Sequence, residues 1–237
     1  MNKPSISVVI PAYNEEKTVE SVAKDALRAL SELCNDYEVV FVDDGSSDAT
    51  GKIIDSLAKE NRFVRSIHHQ KNKGFTGVIK TSFQSAKKDL IFLAPADGQF
   101  DFGELRKFVK AIKDYDVVLG YRKEKEENLV RKINSIAFHL ISRIVLGIKF
   151  KEISSVSLWR RKVIKSIKVE SEDRSAMYLP EIIYKALNKG YKFTQVSHIW
   201  RKRQRGKAKG ANPLMIAKTF LAMAKFWVEI HFSNKLN

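Results

Sequence analysis

The first 120 residues alternate between short apolar runs and longer segments with apolar residues at helical spacing. The runs predict strands, and the spaced segments predict helices, because an apolar residue every three or four positions lines one helix face. The predicted strands cover residues 5–10, 38–42, 64–67, 89–94 and 116–119, and the predicted helices cover residues 15–33, 49–60, 74–86 and 102–112. Strands separated by helices indicate an α/β fold, with a mostly parallel sheet flanked by helices.

After residue 120 the pattern changes to long helices at 128–147, 179–187 and 213–232, with one strand at 191–200. The last helix is amphipathic. It either lies in a membrane interface, with Phe226 and Trp227 as anchors, or packs on the domain or on another subunit of a homo-oligomer. No segment has about 18 uncharged apolar residues, so we predict no transmembrane helix. The expected division is a domain of residues 1–210 and a C-terminal amphipathic helix within residues 211–237.

The charge balance favours an anionic partner. The 237 residues include 43 Lys and Arg against 27 Asp and Glu, a net charge of +16. The basic residues concentrate at 201–209, beside the last helix, and no nucleic-acid motif is recognised, so we expect an anionic membrane surface as a partner and no nucleic acid.

No apolar signal segment precedes the first strand, and the single Cys34 allows no internal disulfide. Both features favour a peripheral protein on the cytoplasmic face of a membrane.

Carboxylates follow two of the predicted strands. Asp43 and Asp44 end one apolar run, and Asp97 and Gln99 follow another. Ligands of open α/β sheets bind at this carboxyl edge of the strands. A carboxylate there can accept hydrogen bonds from a nucleotide base, and oxygen donors can bind Mg²⁺ or Mn²⁺ that bridges to phosphates. The two segments therefore predict a nucleotide-sugar site with a divalent metal as cofactor.

Four segments, in this order, resemble the signatures of family-two inverting glycosyltransferases of GT-A fold. They are Val-Val-Ile-Pro-Ala-Tyr-Asn-Glu-Glu at 8–16, Val-Asp-Asp-Gly-Ser-Ser-Asp-Ala-Thr at 42–50, Asn-Lys-Gly at 72–74 and Ala-Asp-Gly-Gln at 96–99. The resemblance covers residues 5–120 well and the rest more loosely. It implies a nucleotide-binding set of Pro11, Tyr13, Asn14, Glu15, Asp43, Asp44, Lys73 and Gly74, in which Asp44 contacts the base.

The metal segment departs from the family pattern at one position. The family commonly carries Asp-X-Asp, whereas this chain has Pro95 where the first aspartate is expected. Asp97 and Gln99 remain as the candidate metal ligands, and Asp97 is also a candidate catalytic residue. A weaker metal site, a changed metal preference and lost catalysis all remain open.

The second half resembles polyprenyl-phosphate glycosyltransferases of the dolichol-phosphate mannose synthase type. Gly-Tyr-Arg at 120–122, followed by Arg131, resembles the arginines that bind the lipid phosphate there, and guanidinium groups bind phosphate through paired hydrogen bonds. The resemblance implies an acceptor-phosphate site of Arg122, Arg131 and Ser155. It also implies a loop of Arg205, Lys207 and Lys209 that covers the donor diphosphate; a solvated basic face is the alternative.

Glu152 is the candidate for a catalytic base or a second metal ligand. It lies where the family often has an acidic residue, but the segment that follows matches poorly. A hydroxyl acceptor needs a base, whereas a lipid phosphate is already ionised. We therefore predict inverting transfer from a UDP- or GDP-sugar to a polyprenyl phosphate. The alternatives are transfer to a hydroxyl of a glycan or glycolipid, and a non-catalytic binding module.

Two adjacent histidines, His68 and His69, end the third predicted strand. Neighbouring residues on a strand point to opposite faces, so the pair is poorly arranged to chelate one ion. We interpret them as structural or surface residues.

Overall fold

Seven strands form one mixed sheet in the part of the chain that the structure describes. This computed structural model describes residues 3–123, 138, 142–153, 156–201 and 213–232. The strands are β1 (Ser5–Ala12), β2 (Asp36–Asp43), β3 (Val64–His68), β4 (Leu90–Leu93), β5 (Val117–Arg122), β6 (Ser157–Arg160) and β7 (Phe193–His198). Their order across the sheet is β3-β2-β1-β4-β6-β5-β7. All neighbours pair in parallel except β6, which runs antiparallel to both β4 and β5.

Helices cover both faces of the sheet. The labelled helices are α1 (Val19–Leu33), α2 (Thr50–Glu60), α3 (Gly74–Ser85), α4 (Leu105–Ala111), α5 (Arg161–Ser166), α6 (Tyr178–Asn188) and α7 (Pro213–Phe232), with a 3₁₀ turn at Phe102–Glu104. A further helical stretch covers residues 142–146. Alternate residues of a strand point to opposite faces. In β1, Val8 therefore packs into the core beneath α1, and Val9 packs into the core beneath α3 and α6. Burial on both faces explains the nearly continuous apolar runs of these strands.

The predicted α/β fold is confirmed, and most predicted elements agree with the structure to within a few residues. The exceptions are β6 and the short α5, which we did not predict, and the helix expected at 102–112, which begins as a 3₁₀ turn. β6 has only four residues and polar ends, so its sequence carries little periodicity. Of the helix predicted at 128–147, residues 138 and 142–146 are helical, residue 147 is not, and the remainder lies outside the described residues.

One face of α7 packs on the domain. Met223 and Phe226 are buried in the core, and the Phe226 ring lies 5.6 Å from the Tyr184 ring. Phe226 is therefore not available as a membrane anchor, which corrects that expectation. Leu221 and Phe232 are 71% and 56% exposed, so an apolar surface remains on the outer side. In the described part of the chain, no helix combines the length and apolar composition needed to cross a bilayer.

Candidate functional site

The carboxyl ends of β1, β2 and β3 lie side by side. Ala12 pairs in register with Asp43, and Asp43 pairs with His68. The segments that leave these strands therefore emerge together at one edge. β4 ends at the same edge beside β1, because Val9 pairs with Leu93.

The segment after β1 is hydrogen-bonded to the turn after β2. Asn14 has a positive φ of 50°, its backbone N donates to Ser46 Oγ at 2.8 Å, and its Oδ1 accepts from Ser47 N at 2.8 Å. The backbone N of Glu15 donates to Thr50 Oγ1 at 2.8 Å. These bonds join the first two predicted nucleotide-binding segments into one unit.

The side chains along this unit differ in exposure. Tyr13 is 38% exposed, whereas Pro11 is half-buried at the end of β1. An exposed aromatic ring at a strand edge can stack on a planar ligand. The exposure of Tyr13 leaves its ring accessible to a ligand, and its role in binding a base stays a prediction.

Asp44 connects the end of β2 to the start of α3. Its Oδ1 lies 2.6 Å from His69 Nδ1 and accepts from Lys73 N at 2.9 Å, and its Oδ2 accepts from Gly74 N at 3.0 Å. The first amides of a helix lack intrahelical partners, and their partial positive charge favours an anion. The structure thus brings three predicted residues, Asp44, Lys73 and Gly74, into direct contact.

Asp43 is bonded within its own turn and to β3. Its Oδ1 accepts from Ser46 N at 3.1 Å and from the Ser46 hydroxyl, and its Oδ2 lies 3.2 Å from His68 Nδ1. The turn requires glycine at position 45, where φ is +70° and a Cβ atom would lie 2.9 Å from Asn72 N. Asp43 therefore shapes the turn that positions Asp44.

The predicted metal segment follows β4 and is bonded to residues on both sides. Asp97 Oδ1 accepts from Gln99 N at 3.0 Å, and the Thr18 hydroxyl donates to Ala96 O at 2.7 Å. Gln99 and Arg201 exchange two further bonds, from Gln99 Nε2 to Arg201 O at 3.1 Å and from Arg201 N to Gln99 O at 2.8 Å. Because the Gln99 amide nitrogen is engaged there, its Oε1 is the atom left to act as a ligand.

The oxygen atoms of Asp97 and Gln99 fit a weakly bound divalent cation. Asp97 and Gln99 offer one carboxylate and one amide oxygen, and the described residues contain no group of three or more His, Cys, Asp or Glu arranged for a metal. Mg²⁺ is commonly bound by one or two carboxylates together with water and substrate phosphates. The residues present therefore fit a divalent metal that would take its remaining ligands from water and from a phosphate-bearing substrate.

Arg122 and Glu152 form an ion pair at the far end of the same edge. Arg122 Nη2 and Nε lie 2.8 and 2.9 Å from Glu152 Oε1, and Arg122 N donates to Oε2 at 3.0 Å. The guanidinium carbon also lies 5.8 Å from the centre of the Trp200 ring. The glutamate side chain is only 7% exposed. Proton transfer to Glu152 would neutralise the carboxylate and weaken its ion pair with Arg122.

His198 lies beside this pair and was not singled out from the sequence. It is 1% exposed, and its Nε2 has no hydrogen-bond partner among the described residues. Burial lowers the pKa of the His198 imidazole, so the ring is neutral near pH 7. The predicted strand at 191–200 contains several other polar residues, so its sequence carried no signal that distinguished His198.

Five predicted site residues lie outside the described residues. They are Arg131, Ser155, Arg205, Lys207 and Lys209. The described residue just before the basic segment is Arg201, whose guanidinium lies 3.0 Å from Asp101 Oδ1. The chain therefore enters the basic segment beside the predicted metal segment.

The strand order reverses beside β1, between β2 and β4, and open α/β sheets bind ligands at the carboxyl edge of such a reversal. The sequence profile described as Glycosyl transferase family 2 matches residues 7–167. The chain belongs to this family.

Two relatives carry a polyprenyl phosphate in their names. The chain is 30% identical, over 68% of its length, to the undecaprenyl-phosphate 4-deoxy-4-formamido-L-arabinose transferase of Aeromonas hydrophila. It is also 30% identical, over 70% of its length, to the dodecaprenyl-phosphate galacturonate synthase of Rhizobium johnstonii. In both comparisons the chain spans 51% of the relative's length.

Solved structures show the same fold at lower identity. The glucosyl-3-phosphoglycerate synthase of Mycobacterium tuberculosis, in complex with Mn²⁺, UDP-glucose and phosphoglyceric acid, superimposes with a TM-score of 0.71. The match covers 94% of this chain and 80% of that one, at 16% identity. The GT-A-like fold implied by the sequence resemblance is therefore confirmed.

Proposed function

We propose that this chain is the catalytic domain of an inverting glycosyltransferase. It moves a sugar from a UDP- or GDP-sugar to a polyprenyl phosphate at a membrane surface. The choice of acceptor is based on Arg122, the last residue of β5, whose side chain is 20% exposed. Its guanidinium contacts Glu152 and the ring of Trp200, and both contacts orient it. The relatives named for transfer to undecaprenyl and dodecaprenyl phosphate support the same acceptor class.

On the donor side, Asp44 and the segment from Pro11 to Glu15 bind the nucleoside. Asp97 and Gln99 bind the divalent metal, which when present neutralises charge on the leaving diphosphate. The fixed position of Asp44 at the start of α3 supports this role, because little reorganisation is needed when the ligand arrives.

On the acceptor side, Arg122 binds the lipid phosphate, with Arg131 and Ser155. An ionised phosphate oxygen attacks the anomeric carbon from the face opposite the diphosphate. The bond from that carbon to the diphosphate oxygen breaks, and the nucleoside diphosphate leaves with the electron pair. No proton has to be removed from the nucleophile, so the reaction is compatible with a Glu152 that is occupied by Arg122.

A peripheral position on an anionic, cytoplasmic membrane face is part of the proposal. The exposed apolar residues of α7, Leu221, Val228 and Phe232, support it, together with exposed Lys218 and Lys225 on the same helix. Apolar side chains flanked by lysines favour adsorption to an anionic lipid surface.

A radiolabelled-sugar transfer assay tests the proposal. The assay combines a short polyprenyl phosphate, a panel of UDP- and GDP-sugars and Mg²⁺ or Mn²⁺, with Asp97→Asn as the control. Label that is extractable with lipid and that requires both the metal and Asp97 is the expected result. Transfer to a soluble glycan, with loss of activity in Glu152→Gln, would favour a hydroxyl acceptor. Nucleotide binding without turnover would favour a non-catalytic module.

A further inference from the structure

His69 lies at the centre of a buried chain of hydrogen bonds that ends at the predicted nucleoside carboxylate. Its Nδ1 is 2.6 Å from Asp44 Oδ1, and its Nε2 is 2.9 Å from Thr81 Oγ1. The side chains of His69 and Asp44 are each only 4% exposed. Water therefore has little access to replace either bond.

The partners of the ring define which nitrogen carries the proton. An ionised carboxylate only accepts hydrogen bonds, so His69 must donate to Asp44 from Nδ1. In the neutral ring Nε2 is then an acceptor, and the Thr81 hydroxyl can donate to it. Thr81 belongs to α3, the helix whose first amides bind the same carboxylate.

The bonds also distinguish the two oxygens of Asp44. Oδ1 accepts from both His69 and Lys73 N, whereas Oδ2 accepts from Gly74 N. A carboxylate offers about four acceptor positions, two on each oxygen. Among the described contacts, Oδ1 makes two and Oδ2 makes one. Oδ2 is therefore the oxygen with an acceptor position left for an N–H group of a ligand.

We propose that His69 is a positioning residue for donor binding, which fixes the Asp44 carboxylate so that Oδ2 faces the nucleoside base. This inference rests on the proposed function, because it assumes that Asp44 contacts a base. His68 does not share the role. It points to the other face of the strand, where it contacts Asp43 and Asp55.

Two replacements of His69 separate this role from simple packing. In asparagine the amide nitrogen lies two bonds from Cβ, as Nδ1 does, so His69→Asn retains a donor toward Asp44. In glutamine it lies three bonds from Cβ, as Nε2 does, so His69→Gln moves the donor away. We would measure the binding of UDP and GDP, each with Mn²⁺, by titration calorimetry, and the melting temperature of each variant.

The expected result is a Kd at least about tenfold higher in His69→Gln than in His69→Asn, since a hydrogen bond to a charged group is lost. Equal affinity of both variants and the wild type would overturn the role of His69 while leaving the proposed function intact. A wild type that binds neither nucleotide would overturn the proposed function, and the inference with it.

A measurement on the unliganded wild type covers the case in which His69→Gln does not fold. Nitrogen-15 NMR of the imidazole identifies the protonated nitrogen. A proton on Nδ1 with a bare Nε2 is expected. A proton on Nε2 alone would mean that the ring does not donate to Asp44, and the inference would fail.

Discussion

Removing the carboxylate of Glu152 tests how strongly Arg122 is fixed at the acceptor end of the site. The side chains are 20% and 7% exposed, so the pair lies between a surface salt bridge and a fully buried one. Exposed pairs contribute up to about 1 kcal/mol, and breaking a buried pair costs about 3 to 5 kcal/mol. Two guanidinium contacts converge on Oε1, and the backbone N–H of Arg122 binds Oε2. We therefore expect a coupling energy of about 2 kcal/mol.

Urea unfolding of four proteins measures this coupling. They are the wild type, Glu152→Gln, Arg122→Met and the double variant. Each substitution should lower the free energy of unfolding more in the wild type than in the protein that already carries the other substitution. In the second case the group that is removed has already lost its partner. A coupling energy below about 0.5 kcal/mol would refute the reasoning that this pair is tightly formed.

The same Glu152→Gln variant separates the two acceptor classes. If Glu152 orients Arg122, the KM for polyprenyl phosphate should rise and kcat should change less, because binding is weakened more than chemistry. If Glu152 is a general base, kcat should fall by about 10²-fold or more with a hydroxyl acceptor. A fall in kcat of that size with polyprenyl phosphate itself would contradict the positioning role.

Unfolding and thiol-modification measurements test three further predictions, on His68, Gly77 and Cys34. Burial lowers the pKa of the His68 imidazole, but hydrogen bonds to Asp55 and a second aspartate outweigh it and raise the pKa above 6.5. The stability that His68 adds over His68→Asn should therefore be largest below about pH 6.5 and shrink as the pH rises, whereas a pH-independent difference would contradict the shift. Gly77→Ala should lower the free energy of unfolding by about 1 to 3 kcal/mol, since its Cβ would lie 2.6 Å from Lys73 Cβ and 3.1 Å from Asp173 Cγ, and an unchanged melting temperature would contradict this expected clash. Burial raises the pKa of the Cys34 thiol to about 11, so a disulfide reagent at pH 8 should modify it only after unfolding, and rapid reaction of the native protein would be inconsistent with that burial.

The sheet could be predicted because its strands carry long apolar runs. β1 and β2 are buried on both faces, so most of their residues are apolar and indicate a strand. β6 could not be predicted in the same way. Its four residues lie between two antiparallel neighbours, and only this pairing makes them a strand.

The site could be predicted in part, for a related physical reason. Residues that follow parallel strands must meet at one edge, and the structure brings Asp44 together with Lys73 and Gly74 as that rule requires. The pairing of Arg122 with Glu152 depends instead on β6 returning antiparallel beside β5. Thirty residues separate the two in the chain, and no local pattern records that they meet. The roles of all these residues in binding remain predictions.

The strand order gives the proposed site a direction. From β2 to β5 the order is β2, β1, β4, β6 and β5, a distance of about 19 Å at the usual spacing of about 4.8 Å between strands. Along that line the edge presents Asp44, then the segment after β1, then Asp97 after β4, and finally the pair of Glu152 and Arg122. A donor lying along the edge would place its base at Asp44 and its diphosphate at the metal segment. Its sugar would then point toward Arg122, where a bound phosphate would approach the anomeric carbon from the side opposite the diphosphate. Under the proposed roles, this order of Asp44, Asp97 and Arg122 along the edge predicts inversion at that carbon.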